Sequence, residues 1–120
     1  MEPYFRVLSS NSEGQVHQFT IELNVNHPVY KGHFPDVPVT PGVVLTDICR
    51  TLTAQIVNEE LQLVEAKSIK FLSMVNPNET PHLNVTIDAV RDDLVISTKI
   101  IGEFDKRVYF KINANFASVN

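Results

Sequence analysis

The amino-acid sequence predicts an α+β domain in which an antiparallel sheet wraps around one long helix. One segment repeats apolar residues at helical spacing, whereas the segments on either side alternate apolar and polar residues. Short turn-forming sequences separate the later alternating segments, and such short connections join antiparallel neighbours. A helix with one apolar stripe and a sheet with one apolar face bury both when they pack together.

The strands are predicted from this alternation, in the order of two strands, the helix, and then three or four strands. The clearest alternating runs are residues 19–25, 83–89, 94–100 and 108–116, and a further strand is expected at about residues 63–73. Turn-forming residues at 11–14, 76–79, 91–93 and 103–106 separate the runs.

The helix is predicted to begin at Pro41, with Thr40 as its N-cap, and to end near residues 58–59. About 17 residues give a helix of roughly 25 Å. Its apolar stripe consists of Leu45, Ile48, Cys49, Leu52 and Ile56.

Length and composition indicate a single domain over residues 1–120, with 43% hydrophobic and 20% charged residues. The net charge of −4 argues against nucleic acid and anionic membranes as partners. No apolar run reaches the roughly 18 residues of a membrane-spanning helix. The first residues show no secretory-signal pattern, and Cys49 is the single cysteine, so we expect a protein of the reducing cytoplasm.

Residues 32–47 carry most of the information about function. His33 lies in a loop stiffened by prolines, Pro41-Gly42 begins the helix, and Asp47 follows within it. Three of the 7 prolines and two of the 4 glycines fall between residues 32 and 42. Histidine, helix N-terminus and carboxylate supply a base, a dipole that stabilises negative charge and an acid. This combination suits proton abstraction beside a carbonyl group.

The same segment carries a resemblance to a known family. The matching residues are Gly32-His33-Phe34-Pro35, Pro38, Pro41-Gly42 and Asp47. In identity and spacing they resemble the motif of the 3-hydroxyacyl-[acyl-carrier-protein] dehydratases of the FabA/FabZ type, which have the hot-dog fold. The predicted strand pattern extends the resemblance over nearly the whole chain.

The resemblance implies a role for each residue of the site. His33 would remove the proton from C2 of a 3-hydroxyacyl thioester, oriented by the backbone carbonyl of Val39. The N–H of Gly42 would bind the thioester oxygen, and Asp47 would protonate the leaving hydroxyl or orient a water that does so. Structural roles are the alternatives: a loop histidine, a glycine required by a tight turn, and a salt bridge from Asp47 to Arg50.

Two further residues complete the expected substrate-binding set. These are Phe34 and Thr51, and Thr51 stands where the family usually has a glutamine, four residues after the helix carboxylate. Tyr30, Phe34, Phe71 and Met74 either line an acyl tunnel or pack in the core. The resemblance implies no cofactor, and the sequence contains no cysteine cluster or histidine spacing that predicts a metal site.

We therefore expect a cytoplasmic, cofactor-free dehydratase that forms trans-2-enoyl thioesters on the phosphopantetheine group of an acyl-carrier protein. The family builds each site from two subunits, which implies a homodimer, alone or within a larger oligomer of dimers. Fatty-acid, polyene and polyketide pathways are not distinguished. The alternatives are a hot-dog acyl thioesterase and a non-catalytic acyl-binding or heterodimer partner.

Overall fold

The computed structural model describes residues 3–31 and 38–119. The described chain forms six strands, one long helix and one short 3-10 helix. In chain order they are β1 (Phe5–Glu13), β2 (Val16–Leu23), the 3-10 helix (Pro28–Lys31), α1 (Gly42–Val57), β3 (Leu61–Phe71), β4 (His82–Asp92), β5 (Val95–Phe104) and β6 (Arg107–Ser118). This confirms the predicted α+β class and the single long helix.

The strands form one antiparallel sheet in the order β1-β2-β4-β5-β6-β3. Its inner face packs against α1, because alternate apolar residues of the strands share one buried cluster with the apolar stripe of the helix. The helix contributes Val44, Leu45, Ile48, Cys49 and Leu52 to this cluster. The sheet thus surrounds the helix in the hot-dog arrangement, and β1 and β3 lie at its edges.

The predicted start of the helix is wrong by one residue. The helix begins at Gly42, Pro41 is its N-cap, and no side chain caps its amides. Thr40 is buried, and its hydroxyl is hydrogen-bonded to the Tyr30 hydroxyl at 2.9 Å instead of to the helix. The predicted C-terminus is confirmed, because Asn58 follows Val57 in the left-handed conformation with φ 55°.

Two turns are tighter than the sequence predicts. β1 continues to Glu13, and Gly14, with φ 60°, makes the turn into β2. Leu94 does not begin a strand but lies 69% exposed in the turn between β4 and β5. The preceding Asp93 has φ 57°, which is compatible with a two-residue hairpin turn. β3 begins and ends two residues earlier than the sequence predicts.

In the part of the chain that the structure describes, no helix has the length and hydropathy needed to span a bilayer.

Candidate active site

The N-terminus of α1 opens onto a pocket of about 320 Å³. The pocket is lined by residues that lead into the helix and by residues that end and follow β3, namely Val39, Thr40, Pro41, Gly42, Leu45, Phe71, Leu72, Ser73, Met74 and Val75. The first amides of a helix lack intrahelical acceptors and carry an effective charge of about +0.5. A developing negative charge in this pocket therefore meets a favourable field.

Gly42 is the first residue of the helix and lies beneath the ring of Phe71. A Cβ atom at position 42 would come 2.5 Å from Cζ of Phe71. A side chain at position 42 would therefore displace this ring, which ends a half-exposed side chain. Both residues line the pocket.

Val39 and Thr40 connect the described part of the motif to the core. Thr40 donates its backbone N–H to Val75 O at 2.8 Å, and its hydroxyl bonds to that of Tyr30. Tyr30 and Thr40 are both buried, so the chain is anchored on both sides of residues 31–39. His33 and Phe34, the predicted base and one predicted substrate-binding residue, lie outside the described residues.

Asp47 forms a salt bridge with Arg50 on the next turn of the helix. Arg50 Nε donates to Asp47 Oδ1 at 2.8 Å, and Nη1 donates to the backbone carbonyl of Leu61 at 3.1 Å. The side chains are 42% exposed for Asp47 and 31% for Arg50. The salt bridge that the sequence offered as the alternative role of Asp47 is therefore present.

Asp47 and Gly42 leave the helix in different directions. Five residues rotate an α-helix by about 500°, which is about 140° beyond a full turn. Asp47 and Thr51 accordingly lie outside the set of described residues that line the pocket. The Thr51 hydroxyl donates to the backbone carbonyl of Asp47 at 2.9 Å, so it is used within the helix.

The candidate tunnel residues fall into two groups. Phe71 and Met74 line the pocket and are exposed, Met74 by 72%. Tyr30 is buried and bonded to Thr40. Burial raises the pKa of Tyr30, so its hydroxyl stays protonated at neutral pH.

His27 is a buried residue in the approach to the motif. Its Nδ1 accepts the backbone N–H of Val29 at 3.0 Å, and its ring lies 4.4 Å from that of Tyr4 between centroids. These contacts hold the short 3-10 helix in place. Within residues 3–31 and 38–119, no group of three or more His, Cys, Asp or Glu side chains is arranged to hold a metal ion.

A larger pocket of about 460 Å³ lies beside β1, β2 and the residues that follow β2. Its lining includes Arg6 and Glu22, which form a salt bridge at 2.7 Å. None of the described residues of the motif lines it. The helix terminus and the motif residues therefore place the candidate site at the smaller pocket.

Two contacts of this region were not predicted from the sequence. One is the Tyr30–Thr40 hydrogen bond and the other is the bond from Arg50 to Leu61 O. Tyr30 and Thr40 flank the Pro-rich segment, so the polar residues at its two ends could have predicted the first contact. The second depends on where β3 begins beside the helix, and no sequence pattern specifies that.

Comparison with protein families gives a match over residues 9–111 to the ApeI-like family, described as ApeI dehydratase. A 3-hydroxyacyl-[acyl-carrier-protein] dehydratase FabZ of Rickettsia typhi is 32% identical over 101 residues, covering 77% of this chain and 70% of the relative. The FabZ of Rickettsia bellii (strain OSU 85-389) is 36% identical over 77 residues, covering 58% of this chain. The chain spans only 53% of the length of that relative.

Among solved structures, the dehydratase heterocomplex ApeI:P from Xenorhabdus doucetiae has a chain that superposes with a TM-score of 0.77. The superposition covers 98% of this chain and 99% of the other, at 16% sequence identity. At this identity the likeness concerns the fold alone, and it agrees with the hot-dog arrangement of sheet and helix.

Proposed function

The chain belongs to the ApeI-like family of dehydratases, and from that premise we propose that it removes water from 3-hydroxyacyl thioesters. The product is a trans-2-enoyl thioester, and the acyl group is carried by an acyl-carrier protein in fatty-acid, polyene or polyketide synthesis. The observation that carries the proposal is the pocket at the N-terminus of α1, which Gly42 lines together with Phe71. The buried single cysteine, Cys49, fits a cytoplasmic protein.

The proposed reaction begins with proton transfer from C2 to His33. Negative charge then develops on the thioester oxygen, which the N–H of Gly42 and the helix dipole stabilise. The C2=C3 bond forms as the C3–O bond breaks, and the leaving hydroxyl takes a proton to depart as water. Val39 contributes the backbone carbonyl that orients His33.

Asp47 assists the departing hydroxyl in this proposal. In the structure its carboxylate accepts a hydrogen bond from Arg50 Nε at 2.8 Å. A carboxylate that accepts hydrogen bonds suits the second of its two expected roles, orienting a water that delivers the proton. Thr51 and Phe34 complete the substrate-binding set.

We further propose that each site takes His33 from one subunit and Asp47 from the other. The divergent directions of Gly42 and Asp47 on α1 support a shared site, because one chain presents only one of them to the pocket. Asp47 shares its helix face with Val43, one turn earlier, whose side chain is 77% exposed. β3 leaves one edge of the sheet free, with Leu63 and Val64 exposed along it. A second copy of the chain would cover both features.

The proposal is tested by incubating the purified chain with 3-hydroxyacyl and enoyl thioesters of graded length, on carrier protein and on coenzyme A. We expect enoyl thioester to form while the thioester bond stays intact. Replacing His33 with Ala should lower the rate at least ~10²-fold with the circular dichroism spectrum unchanged. A near-normal rate in the variant would contradict the dehydratase mechanism, and release of free thiol would favour the thioesterase alternative.

A second candidate is a subunit that completes its site with a different chain. The fold neighbour from Xenorhabdus doucetiae is a dehydratase heterocomplex, and this motivates the candidate. In that case the purified chain alone would neither hydrate nor dehydrate any thioester, although it retains His33 and Asp47.

A further inference from the structure

Four lysines lie together on the outer face of the sheet, the face turned away from α1. They are Lys67, Lys70, Lys99 and Lys111, and together they are called the lysine patch. Lys70 on β3 lies directly opposite Lys111 on β6, and Lys99 on β5 lies opposite Asn113 on β6. Ile112, between Lys111 and Asn113, is fully buried, which places its two neighbours on the outer face.

The same face contains a groove of about 190 Å³ that joins the lysines of β3 and β5. Lys67 and Lys99 line it together with Asn113 and Asn115. Lys67 reaches the outer face because the pairing of β3 with β6 shifts register between Ala66 and Ser68. The lysine patch is thus continuous across three neighbouring strands.

Neighbouring carboxylates offset only part of the charge of the lysine patch. All four lysines are exposed, and none forms a salt bridge with a described residue. Asp88 on β4 lies opposite Lys99, and Glu65 on β3 lies opposite Asn115 on the same face. Four lysines beside these two carboxylates leave the patch positive.

The charge arrangement works against the stability of the sheet. Like charges directly opposite each other on neighbouring strands, as at Lys70 and Lys111, are destabilising. The chain as a whole has a net charge of −4, so this positive surface is a local exception. An anionic partner bound at this surface would offset the repulsion between the lysines.

We propose that the lysine patch is a docking surface for an acidic protein and, resting on the proposed function, that this protein is the acyl carrier. Lys70 immediately precedes Phe71, whose ring covers Gly42, and Leu72 and Met74 continue along the pocket. A carrier bound on the lysine patch lies beside the end of β3, around which its prosthetic arm reaches the pocket. Opposite charge at such a surface mainly accelerates association and gives salt dependence.

The informative variant is Lys70→Glu, because it changes binding and stability in opposite directions. It converts the repulsive pair with Lys111 into an attractive one, so the melting temperature should hold or rise. Carrier affinity, measured by fluorescence anisotropy with a carrier bearing a non-reacting acyl group, should fall about 10-fold at low salt. The matched control is Lys106→Glu in the β5–β6 turn, which makes the same charge change away from the lysine patch and should leave affinity unchanged.

Activity measurements separate this proposal from the proposed function. With carrier-bound substrate, Lys70→Glu should raise KM about 10-fold and remove much of its salt dependence. With an N-acetylcysteamine thioester, which bears no phosphate, the kinetics should not change. A chain that binds carrier through the lysine patch but dehydrates nothing would refute the function and leave the docking surface intact.

Three results would overturn the docking surface. The first is unchanged carrier affinity and KM in Lys70→Glu. The second is an equal rise in KM for the coenzyme A and carrier substrates. That result would show that the lysines bind a phosphate group that the two substrates share. The third is tighter binding of a single-stranded oligonucleotide than of the carrier, abolished by the same variant. If Lys70→Glu fails to fold, Lys70→Gln and Lys111→Gln remove the charge at the same positions and are judged by the same readouts.

Discussion

Gly42 illustrates how one absent side chain shapes the candidate site. The ring of Phe71 occupies the space where a Cβ of residue 42 would stand, so the two residues together define the floor and roof of the pocket. Because the Phe71 side chain is half exposed, it can swing away when it is pushed. A substitution at Gly42 should therefore change the pocket more than the fold.

The first residue-scale prediction concerns Gly42→Ala. The added methyl group displaces the Phe71 ring and shields the helix amides, so kcat/KM should fall at least ~10-fold, the order expected when one oxyanion donor is obstructed. The melting temperature should change little, since Ala is the better helix former by about 1 kcal/mol. The double variant Gly42→Ala/Phe71→Ala relieves the contact. Recovery of activity in the double variant, measured with a short-chain thioester, would attribute the loss to the ring, whereas no recovery would attribute it to the methyl group itself.

The second residue-scale prediction concerns Arg50→Met, a substitution that keeps most of the length of the side chain and removes its charge. Loss of the hydrogen bonds to Asp47 and to Leu61 O should lower the free energy of unfolding by about 1 kcal/mol. The ion pair contributes little of this amount, because it is partly exposed. Activity near neutrality should hold or rise, because Asp47 Oδ1 is released from Arg50 Nε and becomes available to the water that Asp47 orients. Urea unfolding and steady-state kinetics measure the two effects. A large fall in activity at unchanged stability would instead assign Arg50 to substrate binding.

Candidate site residues could be predicted from the sequence where they lie close together along the chain. Gly42, Asp47 and their spacing are visible in one short motif, as is the i, i+3 relation that pairs Asp47 with Arg50. The contact of Phe71 with Gly42 was not visible, because it joins the end of β3 to the start of α1. Apolar residues at strand ends give no periodic signal that separates pocket lining from core.

At the scale of elements, hydrogen bonds of Thr40 to the core, rather than a side-chain cap, hold the segment that leads into α1. Thr40 gives its hydroxyl to Tyr30 and its N–H to Val75 O, so it is not available to the helix amides. The N-cap rule failed here because a tertiary contact took the capping side chain. Pro41 O accepts the N–H groups of Val44 and Leu45, and no side chain caps the helix, which suits the proposed oxyanion role of the Gly42 N–H.

The element-scale prediction uses the titration of Tyr30. Burial raises its pKa, so the neutral hydroxyl is favoured in the folded state relative to the unfolded chain, whose tyrosines titrate near pH 10. The stability that this provides is complete below about pH 10 and is lost as the pH rises further. Tyr30→Phe should cost about 1 kcal/mol at pH 7 through the lost bond to Thr40, and its stability should fall less than that of the wild type between pH 9 and 11.

Unfolding by urea at several pH values provides the measurement. Thr40→Val is the matched control, since it removes the same hydrogen bond but keeps the titrating group. Parallel pH dependence in Tyr30→Phe and the wild type would show that Tyr30 does not contribute to alkaline destabilisation.

At the scale of the whole molecule, the class and the element order followed from periodicity, but the strand order did not. A chain with hairpin-length connections would suggest neighbours in sequence order, whereas β3 lies at the far edge beside β6. α1 lies between β2 and β3 in the chain, so β3 is not joined to β2 by a hairpin. β4 pairs with β2 instead. The lysine patch exists only in this order, because it depends on β3, β5 and β6 being neighbours. Local sequence patterns cannot supply such long-range pairing.

The free edge of β3 and the exposed side of α1 lead to the prediction that tests the assembly. If each site combines His33 of one subunit with Asp47 of the other, His33→Ala and Asp47→Asn chains should each be inactive alone. A mixed dimer would contain one intact site and one doubly damaged site. After subunit exchange in equal amounts, activity should return to about a quarter of the wild type, because half of the dimers are mixed and each has one working site.

The control is the double variant His33→Ala/Asp47→Asn, which should restore neither single variant because it supplies neither group. Sedimentation at assay concentration establishes whether the active species is a dimer. A fully active monomer, or single variants that stay inactive after verified exchange, would contradict the shared site. In the second case, both groups would have to act from one chain, despite leaving α1 in directions about 140° apart.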